Sequence, residues 1–208
     1  MGRQRSGRPI QYRKLFPALI ENWRSERRQA ELPFYYVQIA PFRYTGEKES
    51  ASLLREAQTM ALVLPNTGMV VTADIGNLDD EHPRNKQDVG KRLALLALAK
   101  SYGETQITYS GPVLNTIEKQ ENRIRVFFDH AGTGLAVKGG GSLKNFEIAG
   151  KDHIFYPALA GIEDTTIVVY NQKVINPQAV RYGWDIDTIV DLYNGAGLPA
   201  VPFRTDNW

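Results

Sequence analysis

The residues best equipped for chemistry lie in one short stretch, Asp74-Ile75-Gly76-Asn77-Leu78-Asp79-Asp80-Glu81-His82-Pro83. It holds four carboxylates and one of the three histidines in the chain. Asp79 and His82 form an Asp-x-x-His pair. A neutral imidazole takes a proton from a hydroxyl nucleophile, and a carboxylate at its far nitrogen fixes the tautomer and stabilises the imidazolium that forms. Three residues of separation, just ahead of a helix, lets the aspartate fold back onto the ring. The same spacing also fits a plainer arrangement, a helix N-cap beside an exposed histidine, with Asp80 and Glu81 favoured by the positive end of the helix. A third reading makes Asp74, Asp79, Asp80, Glu81 and His82 oxygen and nitrogen ligands for a hard cation. Against it, these carboxylates are bunched where calcium loops alternate them.

The elements that must carry this loop follow from hydrophobic period. Tyr12, Leu15, Phe16, Leu19, Ile20 and Trp23 repeat at helical spacing, with Pro9 in a first turn where its missing N–H costs nothing. Residues 32–40 are rich in aromatic and β-branched side chains and predict a strand closed by Pro41. A second helix is expected over about 51–62, with Leu53, Leu54, Ala57, Met60 and Ala61 on one face. After the turn Pro65-Asn66-Thr67-Gly68, the nearly all-apolar run 69–73 predicts a strand of a parallel sheet covered on both faces. A third helix is expected from about Pro83 to Ser101, with Gly103 just beyond its end. The order helix, strand, helix, strand, helix means a parallel sheet with crossover helices, and ligands of such sheets bind beyond the carboxyl ends of the strands. The Asp79–His82 loop sits at such an end. Two strands alone make a poor sheet of this kind, so the chain is expected to share a sheet with further polypeptide.

From Ile107 onward the texture changes to short strand-like runs at 123–128, 146–149, 165–170 and 179–184, separated by turns such as Gly139-Gly140-Gly141-Ser142 and Asn176-Pro177. Runs at these intervals suggest a β-sandwich. The expected organisation is therefore α/β over 1–104 and β-sandwich-like over 105–208. His130 and His153 fall at strand ends or turns and read as surface residues. Ser110 lacks a nucleophile-elbow frame. Tyr182, Trp184 and Tyr193 could stack on a sugar, but aromatic residues at strand positions are more often core.

Composition excludes several classes. The 208 residues are 42% hydrophobic with a net charge of +2, which supports a buried core and gives no general attraction to nucleic acid or to an anionic membrane. The early cluster Arg3, Arg5, Arg8, Arg13, Lys14, Arg24, Arg27 and Arg28 is read as a solvated face because no aromatic platform accompanies it. Without cysteine there is no disulfide, thiolate metal site or cysteine nucleophile. No apolar run reaches the roughly 18 residues that span a bilayer.

The stretch from Asp79 through His82-Pro83-Arg84-Asn85-Lys86-Gln87 to Val89-Gly90-Lys91-Arg92-Leu93-Ala94-Leu95 closely resembles the Asp-x-x-His block of the sialate O-acetylesterase family, a branch of the SGNH (GDSL-like) hydrolases. Other stretches are similar in the family's order: residues 11–20, residues 32–42, Arg55-Glu56-Ala57-Gln58, residues 65–69, and a C-terminal run from Leu192 to Asp206. The resemblance implies a partial SGNH-type parallel sheet and an esterase that removes O-acetyl groups from sialic acid or a related sugar. A serine attacks the acetyl carbonyl, His82 serves as general base and then as acid to the leaving hydroxyl, and Asp79 orients His82. It implies an O-acetylated carbohydrate as substrate and an extracytoplasmic compartment; no cofactor and no metal are expected, and the charge balance gives no nucleic-acid or membrane partner. The family's serine stands in a Gly-Gln-Ser-Asn block that this chain does not contain, and Ser6 is not at the nucleophile's place. The chain is accordingly expected to be a C-terminal portion whose serine comes from upstream sequence or a partner chain. The alternatives are a non-catalytic carbohydrate-binding remnant and an inactive truncated product.

Overall fold

The computed structural model describes residues 9–43 and 50–208. Arg3, Arg5, Arg8 and Ser6 lie outside them. The chain packs as two units, one holding the described residues up to Tyr109 together with Asp185–Asp187, the other holding Ser110–Trp184 and Thr188–Trp208. The class is mixed α/β, with a small parallel sheet and antiparallel sheets.

In the first unit, α1 (Pro9–Glu26) leads to β1 (Phe34–Val37), α2 (Ser50–Met60), a 3-10 turn (Ala61–Val63), β2 (Thr67–Val70) and α3 (Lys86–Lys100). β1 and β2 pair in parallel, with Phe34 opposite Thr67 and Val37 opposite Val70. Alternation along β1 sends Phe34 and Tyr36 to one face and Tyr35 to the other. The first face meets α1 and α2. The Phe16 ring of α1 stands edge-on to Tyr36 at 4.8 Å, and the Tyr36 hydroxyl donates to the Gln58 carbonyl of α2 at 2.6 Å. The second face meets α3. Gly68 lies beside Tyr35 in the register, and a Cβ there would come within 2.7 Å of the Leu96 side-chain methyls, so the missing side chain leaves room for Leu96 of α3 to pack on the sheet. Arg24 near the end of α1 donates to the carbonyls of Leu32 and Pro65, at 3.0 and 2.7 Å, which ties the starts of the two strands together.

The helical period in α1 is real, but its apolar stripe is only partly covered. Phe16 and Ile20 are buried, whereas Leu15, Leu19 and Trp23 remain exposed among the described residues. β2 ends at Val70, earlier than its apolar run suggests, because the chain then turns in under other constraints. The Thr72 hydroxyl donates to the Gln38 carbonyl at 2.7 Å. α3 starts at Lys86 instead of near Pro83, because Asn85 caps it: its Oδ1 accepts the Asp88 N–H at 3.1 Å and its Nδ2 donates to the Asp88 carboxylate at 2.8 Å.

The second unit is antiparallel. β3 (Val113–Gln120), β4 (Arg123–Asp129), β8 (Leu159–Glu163) and β9 (Thr166–Tyr170) form a sheet in the order β3-β4-β9-β8. β6 (Phe146–Ala149), β7 (Phe155–Pro157), β10 (Ala179–Tyr182) and β12 (Phe203–Arg204) form another in the order β12-β10-β6-β7. β5 (Leu135–Val137) pairs with β11 (Leu192–Asn194). Tyr182, Trp184 and Tyr193 are all buried. The Tyr182 hydroxyl accepts the N–H groups of Asp191 and Leu192, at 3.0 and 2.7 Å, and donates to the Asp191 carboxylate at 3.1 Å. These rings therefore belong to the core. His130 and His153 occupy left-handed turn positions, with φ of 59° and 62°. The His153 ring stacks on Trp208 at 3.9 Å.

Candidate active site

Everything that positions the Asp79–His82 loop belongs to the first unit. Just past β2, Asp74 is buried and its two oxygens accept from Arg92 of α3, Nη1 to Oδ1 at 2.7 Å and Nη2 to Oδ2 at 2.6 Å. Arg92 Nη1 also donates to the Val71 carbonyl at 2.7 Å. A forked guanidinium matched to a carboxylate is strong and directional, so the root of the loop is fixed to the helix that follows it.

The loop's other flank is the segment after β1. A Cβ on Gly76 would fall 2.7 Å from both the Pro41 ring and the Pro41 carbonyl. The residue must be glycine for the two segments to lie this close. Arg43 N–H donates to the Leu78 carbonyl at 3.1 Å. Arg43 Nη1 donates to Asp79 Oδ1 at 2.5 Å, and its Nε faces Asp187 Oδ2 at 3.8 Å. Within the loop, Asn77 Oδ1 accepts the Asp79 N–H at 3.0 Å and Asp80 Oδ1 accepts the His82 N–H at 2.8 Å, two consecutive Asx turns that replace the helix N-terminus as the local fold.

The side chains of Asp79 and His82 are both open to solvent, at 80% and 84% exposure. His82 Nε2 stands 3.7 Å from Glu81 Oε1. Among the described residues Asp79 and His82 share no hydrogen bond; the aspartate carboxylate is held by Arg43 and the imidazole lies beside Glu81. Asp79, Asp80, Glu81 and His82 thus occupy one solvent-facing loop at the carboxyl end of the parallel strands. Asp74 is not among them, since it is committed to Arg92. No group of three or more histidine or acidic side chains among the described residues is placed to hold a metal ion.

Against known proteins, residues 4–99 match the family model for "Carbohydrate esterase, sialic acid-specific acetylesterase". Over that stretch the chain is similar to the sialate O-acetylesterases. The sialate O-acetylesterase of Rattus norvegicus is 29% identical over 222 aligned positions, covering 92% of this chain and 40% of the rat protein. That of Homo sapiens is 35% identical over 125 positions, covering 51% of this chain and 24% of the human protein. The crystal structure of a carbohydrate acetylesterase from Xanthomonas citri superposes with a TM-score of 0.94 at 43% identity, over 100% of this chain and 49% of that one. The chain therefore spans less than half the length of these relatives. No helix among the described residues is long and apolar enough to cross a membrane.

Two residues that hold this loop were not singled out in the sequence, Arg43 and Arg92. Arg92 left a signal there. It stands three residues after Val89 and four before Leu96, on the apolar face of α3, and a cation on a buried face needs a buried acid. Arg43 left none, because its pairing with Asp79 depends on two segments meeting in space.

Proposed function

We propose that this chain is part of a carbohydrate esterase that removes O-acetyl groups from sialic acid or a related acetylated sugar. In this reading His82 is the general base that takes the nucleophile's proton and returns it to the leaving sugar hydroxyl, and Asp79 orients its ring. The nucleophilic serine comes from polypeptide outside this chain, upstream or on a partner. The first unit is then one part of an SGNH-type sheet, with residues 105–208 as a β-sandwich-like companion and the boundary near residue 104. The compartment is extracytoplasmic.

The observation that carries the proposal is the setting of the Asp-x-x-His pair. It lies at the carboxyl end of two parallel strands, on a loop fixed at its root by Arg92–Asp74 and along its flank by Arg43. A hydroxyl nucleophile presented there by a neighbouring strand would meet an exposed imidazole.

The test supplies the missing part. The stretch of the Xanthomonas citri acetylesterase that this chain does not cover is co-expressed with the chain, and acetate release from an O-acetylated sialic acid is measured. Activity is expected only when both are present. His82→Ala should remove nearly all of it, and Asp79→Asn should lower kcat by about 10³–10⁴-fold. Turnover that survives His82→Ala would sink the proposal.

A further inference from the structure

We infer that Arg43 is the positioning residue of the Asp79–His82 pair: it clamps Asp79 by one carboxylate oxygen and leaves the other to accept the imidazole N–H of His82. This rests on the reading of Asp79 and His82 given above and adds a residue to it.

A carboxylate has two oxygens, each able to accept more than one hydrogen bond. Asp79 uses Oδ1 for Arg43 Nη1 at 2.5 Å, and among the described residues no donor occupies Oδ2. An aspartate that is 80% exposed has no packing to hold its rotamer. Its own backbone is pinned by Asn77, but among the described residues the carboxylate itself is held only by the guanidinium. Arg43 is in turn well anchored for a surface residue. Its N–H is bonded to the Leu78 carbonyl, one residue before the aspartate it holds, and its Nε faces Asp187. Pro41 packs against the Gly76 backbone two residues earlier. The segment after β1 thus lies along the loop after β2, with Arg43 as its tip. A donor on the far oxygen of an orienting carboxylate keeps it aimed, as outer-shell partners do for ligating side chains elsewhere.

The effect is readable in this chain without any ester. A carboxylate accepting from Nδ1 favours the Nδ1–H tautomer of neutral His82, whereas a free imidazole prefers Nε2–H. The ratio of the two is measured by long-range ¹H–¹⁵N correlation NMR of the ring. Arg43→Ala is expected to lower the Nδ1–H share of His82 at least twofold. Asp79→Asn should lower it by the same amount, and the double variant should go no further, since both remove one interaction. Arg43→Lys, which keeps the charge and loses the fork, should restore part of it. If Arg43→Ala leaves the ratio at the wild-type value, or raises it, while Asp79→Asn lowers it, the clamp is refuted and the Asp79–His82 pairing stands. If Asp79→Asn also has no effect, the pairing itself fails and the clamp with it.

Discussion

Asp74 carries a charge that water cannot reach, and Arg92 is the group that makes this tolerable. Breaking a buried pair by removing one partner leaves the other charge uncompensated. Asp74→Ala should therefore cost about 3–5 kcal/mol in urea unfolding. Asp74→Ala/Arg92→Met should cost less than the two single changes added together, because neither charge is then left behind. A loss of under about 1 kcal/mol in Asp74→Ala would mean that the pair is hydrated. The contrast with Arg43–Asp79 is instructive. That pair is exposed on both sides and contributes little to stability, so Arg43→Ala should leave the unfolding midpoint almost unchanged. One ion pair holds the fold of the loop, and the other aims a side chain on it.

Helix α1 and the Gly76 crossing test the packing of whole elements. The helical repeat puts Leu19 and Ile20 next to each other in sequence, yet one is exposed and the other fully buried. Ile20→Ala is expected to cost about 2–5 kcal/mol, while Leu19→Gln should stay within about 0.5 kcal/mol of wild type. Equal losses from both would mean that the helix face is assigned wrongly. Gly76→Ala forces a methyl against backbone and ring atoms of Pro41 at 2.7 Å, contacts that cannot yield by side-chain rotation. It should cost about 1–3 kcal/mol and should disturb the amide resonances of Arg43 and Asp79 in NMR. Helical period, and runs rich in aromatic and β-branched residues between turns, made α1, α2, β1 and the strands β4, β6, β9 and β10 legible in advance. They could not show β3, β5, β7, β8, β11 and β12, most of which are short and exist only because partners pair with them.

The fold opposes the ionisation of Tyr12 and Tyr36 in the first unit and of Tyr182 in the second, Tyr12 through burial alone. Burial, with a smaller contribution from the nearby Tyr12, pushes the Tyr36 phenol well above the ordinary tyrosine range. Burial, and then the charge of Asp191, does the same for Tyr182, against the opposing pull of the Leu192 and Asp191 N–H groups. The unfolded chain releases these protons near pH 10 while the folded protein keeps them. Stability from this source is therefore complete below about pH 10 and declines as the pH rises above it, until the folded phenols ionise in turn. Chemical unfolding followed from pH 8 to 11 should show this decline, and Tyr182→Phe should flatten it in the second unit. The same variant strips an acceptor from two backbone N–H groups and should cost about 1–3 kcal/mol at neutral pH. A slope that is identical in wild type and Tyr182→Phe would contradict this account.

The order of residues was sufficient for the alternating α/β start, the strand-rich second half, the family resemblance and the loop holding Asp79 and His82, because period, turn chemistry and a contiguous motif are local properties. Where the carboxylates of that loop go was decided by tertiary structure. Asp74 turns inward because Arg92 stands on the adjoining helix, and Asp79 turns to Arg43 because the segment after β1 lies along the segment after β2. Both partners are distant in the chain, and a charge accepts whichever donor the fold brings within reach.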